Sequence, residues 1–74
     1  MGSEVLAVKR GCVYEYVKNA HGRIQVHHAM AFCGISREEA TMILQDLKSK
    51  GYVGGSAKDG YWVSREALDK PKPW

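Results

Sequence analysis

The chain has 74 residues, 45% of them hydrophobic, and a formal charge of +3. That length makes one domain near the lower limit for folding without a staple, and the apolar content excludes wholesale disorder. There is no apolar run long enough to span a membrane and no signal-peptide pattern. A cytoplasmic protein without a membrane partner is therefore expected, with only a mild charge bias toward nucleic acid.

From Glu4 to Asn19 the residues Val5, Val8, Cys12, Val13, Tyr16 and Val17 recur at three- and four-residue spacings. This predicts an amphipathic helix with Lys9, Arg10, Glu15 and Lys18 on its far side. Gly11 costs about 1 kcal/mol against alanine, so the helix is expected to be firm only beyond it. Asn19-Ala20-His21-Gly22 reads as its stop. Ile24, apolar between Arg23 and Gln25, is placed to pair as a third strand of a small sheet.

Val26 to Cys33 predicts a two-turn helix with Val26, Ala29, Met30 and Cys33 on one face. Gln25 is a poor cap for it, so this helix depends on packing. Gly34-Ile35 is a turn, and Ser36-Arg37-Glu38-Glu39 is a capping box. The next helix should bury Ala40, Ile43, Leu44 and Leu47 and stop at Gly51. Cys12 and Cys33 sit among apolar neighbours and read as buried free thiols, although their number also allows a disulfide.

Tyr52-Val53 and Tyr61-Trp62-Val63 predict a β-hairpin around a two-residue Asp59-Gly60 turn, pairing Lys58 with Tyr61 and Ala57 with Trp62. In that register Tyr52, Tyr61 and Val63 face the core, and Val53 and Trp62 share the other face. Ser64 to Leu68 can form one helical turn. Residues 1–70 are expected to be one domain, and 71–74, with Pro71, Pro73 and Trp74, an extended tail.

Three features together resemble the winged helix-turn-helix superfamily of small transcription regulators. They are Gly22-Arg23-Ile24, the turn Cys33-Gly34-Ile35-Ser36-Arg37, and the series Ala40, Leu44, Leu47, Gly51 before Tyr52-Val53. The resemblance covers about residues 12–64 and identifies a superfamily. It implies an α+β fold, a three-helix core with a C-terminal β-hairpin wing. The chain departs from the common pattern at Gln25, where serine or threonine is usual, and at Ala29, where leucine often sits.

The resemblance implies that the helix beginning at Ser36 enters the major groove of double-stranded DNA. Its outward residues would be Ser36, Arg37, Glu38, Thr41, Met42, Gln45 and Lys48. Arg37 suits guanine or phosphate, Gln45 adenine, and Thr41 phosphate or a thymine methyl. Ser56 and Lys58 of the wing would meet the flanking backbone. A homodimer is implied because one helix reads only a half-site.

The competing reading is a protein-interaction module. Arg37, Lys48 and Lys50 are balanced by Glu38, Glu39 and Asp46, and Trp62 and Trp74 suit a protein interface. Neither a catalytic constellation nor a phosphate-binding loop is visible, so no enzyme is expected. His27 and His28 are adjacent and point about 100° apart on a helix, which opposes shared chelation. The sequence therefore points to no metal or cofactor.

Overall fold

A computed structural model describes residues 2–20 and 22–71, with side chains from Ala7 onward. The elements are α1 (Gly2–Asn19), α2 (Val26–Cys33), α3 (Arg37–Ser49), β1 (Val53–Ser56), β2 (Gly60–Val63) and a single turn, α4 (Arg65–Leu68). The fold is α+β: three helices followed by a two-stranded antiparallel hairpin. Ile24 adds a bridge to Tyr61, with N–H···O distances of 2.9 and 2.8 Å. This is the third strand position expected from the sequence, reduced to one residue.

The first helix runs unbroken through Gly11, which differs from expectation. Its neighbours provide the reason. Lys9 pairs with Glu39 and Arg10 with Asp46, both on α3, while Cys12 is bonded to Cys33 of α2. Three attachments in four residues offset the glycine penalty of about 1 kcal/mol. The predicted stripe holds at Val13 and Val17, with Cys12 and Tyr16 half-buried, but it is displaced at Val8 and gains Tyr14. Val13, Tyr14 and Val17 are buried, whereas Val8 is 72% exposed. Tyr14 lies edge-on to Tyr52, and its hydroxyl donates to the Ala67 carbonyl at 3.4 Å.

The cysteine expectation is overturned. Cys12 and Cys33 form a disulfide, their Cα atoms 6.0 Å apart, and neither is a free thiol. Two helices crossing over the core bring together residues whose separation in the chain gives no hint of proximity.

The centre of the domain is α3. Ala40, Ile43, Leu44 and Leu47 are at most 1% exposed, as their spacing predicts. They pack against Val13 and Val17 of α1, Val26 and Ala29 of α2, and Tyr52, Val53 and Tyr61 of the hairpin region. The Ser36 hydroxyl accepts from the Glu39 amide at 3.1 Å, so the capping box forms. At the other end, Tyr52 donates to Leu47 and Gly51 to Lys48, closing the helix and turning the chain into β1. Ser36→Ala is expected to cost about 1 kcal/mol in urea unfolding. An unchanged denaturation midpoint would contradict that role.

The hairpin register departs from the expected one. Val53 pairs with Val63, Gly54 with Trp62, Gly55 with Tyr61 and Ser56 with Gly60. The loop is Ala57-Lys58-Asp59, so Lys58 does not pair with Tyr61 and Ala57 does not pair with Trp62. Ser56 decides this: its hydroxyl accepts the Asp59 amide at 3.0 Å and closes the turn one step earlier. The register differs by an odd number of residues, which turns β1 over relative to β2. This puts Val53 on the side of Val63 and Tyr61, while Tyr52 and Tyr61 are buried as expected. Val53 is consequently buried, and Trp62 remains 39% exposed over Gly54.

The segment after α4 returns to Tyr52. The Tyr52 hydroxyl donates to the Pro71 carbonyl, and the Lys70 ammonium stands 5.0 Å from the centre of the Tyr52 ring. The rest of the expected tail, Lys72 to Trp74, lies outside the described residues, as does His21.

Candidate nucleic-acid interface

The approach to α3 is set by Gly34. Its φ of +63° and ψ of +42° place it in the left-handed region that favours glycine, and this ends α2. The amide of the following Ile35 donates to the Met30 carbonyl at 3.2 Å. The Ile35 side chain is buried, and Ser36 starts the next helix immediately. The short, pinned turn orients the first turn of α3, where Arg37 and Glu38 are exposed.

At about 100° per residue, the outward surface of α3 divides into two flanks. Glu39, Asp46 and Lys50 lie on the flank toward α1. Lys9 pairs with Glu39, while Arg10 and Lys50 each approach an Asp46 carboxylate oxygen at 3.2 Å. The Lys9 ammonium hydrogen-bonded to Glu39 holds its carboxyl below the usual carboxylate range, helped by the Ser36 amide. A carboxylate lowered in this way stabilises the fold above its unfolded value. That stabilisation disappears as pH falls through the lowered folded value.

The other flank carries Arg37, Thr41 and Lys48, with Glu38 and Gln45 on the crest. Of these, Thr41 is half-buried and the rest are exposed. Among the described residues neither Arg37 nor Lys48 has an ion-pair partner. Gln45, Lys48 and Ser49 form one wall of an open cleft of about 440 Å³, with Ser56, Ala57 and Tyr61 contributing from the hairpin. The cleft thus joins three of the expected site residues, Gln45, Lys48 and Ser56.

The remaining site residues are distributed around it. Ser36 uses its hydroxyl as the helix cap, and Lys58 is exposed in the hairpin loop. Met42 is 52% exposed but lines a different depression with Arg10, Ile43 and Asp46. Ser49 and Ala57 belong to the main cleft and escape the sequence reading. Ser49 follows Gln45 by four positions, a spacing that could have included it. The neutralising role of Lys9 and Arg10 has no local signal, because their partners are on another helix.

Among the described residues there is no group of three or more His, Cys, Asp or Glu able to hold a metal ion. The His27 and His28 rings lie 4.1 Å apart and tilted, and His28 Nδ1 accepts from the Gln25 amide at 3.2 Å. His28 therefore helps to cap α2. No helix among the described residues is long and apolar enough to cross a membrane.

No protein-family model matches the chain, and comparison with curated proteins and with solved structures finds no match.

Proposed function

We propose that this chain is a small winged-helix protein that binds double-stranded DNA and acts as a transcription regulator. In this reading α3 enters the major groove and the hairpin serves as a wing against the flanking backbone. One observation carries most of its support. The acids Glu39 and Asp46 are paired toward α1, so the apparent charge balance of α3 does not extend to the flank beside the hairpin. There Arg37 and Lys48 have no ion-pair partner among the described residues, and the exposed loop adds Lys58 beside Asp59. Gln45 and Thr41 between them supply base-edge and phosphate donors.

The experiment is fluorescence anisotropy with a labelled duplex at increasing salt. Binding at low salt should weaken steeply, because each neutralised phosphate releases counterions. Arg37→Ala with Lys48→Ala should flatten the logarithmic salt slope by about 2. Absence of duplex binding at low salt would refute the proposal. A homodimer would supply the second half-site.

A second reading, a protein-docking module, draws on Phe32. This side chain is 64% exposed and stacks on Tyr16 with ring centroids 4.5 Å apart. Partner binding that survives Arg37→Ala with Lys58→Ala, in a protein that never binds duplex, would favour it.

The disulfide bears on location. Such bonds persist in oxidising compartments and inside hyperthermophiles, whereas an ordinary cytosol reduces them. A cytoplasmic setting loses the support that two reduced thiols would give it.

A further inference from the structure

Trp62 lies outside the α3–hairpin cleft. Its six-membered ring covers Gly54 so closely that a Cβ there would come within 2.5 Å of it. The indole is thus seated on backbone while remaining 39% exposed. Beside it is a second open cleft of about 300 Å³, lined by Val17, Lys18, Gly22, Arg23 and Val63 as well as Trp62. It shares no lining residue with the cleft between α3 and the hairpin.

Two cations, Arg23 and Lys18, line this cleft together with the indole. The stem of Arg23 lies against Gly60, where a Cβ would stand 2.7 Å from Arg23 Cβ. Among the described residues its guanidinium has no hydrogen-bond or ion-pair partner. Lys18 is 3.7 Å from Glu15 in an exposed i, i+3 pair, a contact weak enough for a phosphate to displace.

We propose that this cleft binds one nucleotide unit of an unpaired nucleic-acid strand, its base stacked on Trp62 and its phosphate held by Lys18 and Arg23. Aromatic stacking accepts any base, and cationic side chains beside the ring follow the backbone charge. The cleft is at the small end of ligand sites, which suits a single nucleotide better than an extended peptide. An unpaired strand thereby has a contact separate from the proposed duplex-reading surface.

The test uses the full chain carrying Trp74→Phe, so that Trp62 alone reports. Titration with hexathymidylate should quench its fluorescence saturably and less effectively at high salt. Trp62→Leu should weaken binding of labelled hexathymidylate about ten-fold or more, and Trp62→Phe should recover part of it. Lys18→Ala with Arg23→Ala should also weaken binding and abolish quenching, which decides the matter if Trp62→Leu does not fold. Arg37→Ala with Lys48→Ala should leave both readouts unchanged. Competition by thymidine monophosphate would identify a free nucleotide as sufficient, and its failure would require the strand; either result supports the site. Unaltered binding by Trp62→Leu, loss through Arg37 and Lys48, absence of quenching, or preferential binding of hexaglutamate would overturn it.

Discussion

Opening the Cys12–Cys33 bond is expected to lower the melting temperature by about 12–24 °C. The bond spans a sequence separation of 21 residues. Chain-entropy reasoning assigns a loop of this size about 3 kcal/mol, through the freedom that it removes from the unfolded state. A domain this small has only a few kcal/mol of net stability, so the bond is a substantial part of it. Position adds to its importance. Cys33 is the last residue of α2 and directly precedes the Gly34 turn that sets the start of α3. Thermal unfolding followed by circular dichroism, with and without a dithiol reductant and on Cys12→Ser/Cys33→Ser, measures the effect. Alkylation of either cysteine in the native, unreduced protein would contradict the bond. A shift of only a few degrees would show that helix packing suffices without it.

The second large effect belongs to the hairpin. Gly55→Ala is expected to destabilise the protein by about 3 kcal/mol or more and to disrupt the β1–β2 pairing. Gly55 has a φ of +97°, and a Cβ there would sit 2.0 Å from the Gly60 carbonyl oxygen. That oxygen belongs to the facing strand's backbone and cannot swing aside as a side chain would. Gly34→Ala separates strain from collision, because Gly34 also has positive φ but has no atom within 4 Å of its would-be Cβ. It should cost about 1–2 kcal/mol. Equal urea midpoints for the two variants would remove the collision from the explanation.

These effects fall in places that the sequence reveals to different degrees. The core face of α3 is legible because Ala40, Ile43, Leu44 and Leu47 follow the helical period between a serine cap and a glycine stop. The buried face of α1 is less legible. Val8 fits the apolar spacing but projects into solvent, whereas Tyr14, which carries a hydroxyl, occupies the core. In the hairpin, the Asp59-Gly60 pair has the composition of a two-residue turn. The Ser56 hydroxyl instead captures the Asp59 amide and changes the pairing. Of the expected interface, the exposed residues of α3 are readable from periodicity. Their charge environment is not, because Lys9 and Arg10 reach Glu39 and Asp46 across thirty or more positions.

The sequence alone determined the α3 cap, the buried stripe of α3 and the presence of a hairpin. Each is encoded within a few consecutive residues, by hydrogen bonds three or four positions apart or by side-chain periodicity. Tertiary structure decided that Tyr14 of α1 enters the core while Val8 stays in solvent, that Cys12 meets Cys33, and which acids of α3 are neutralised. It also seated Trp62 on Gly54 beside Arg23 and Lys18. These outcomes depend on how separate elements pack against one another, and a periodic pattern within one element does not specify that arrangement.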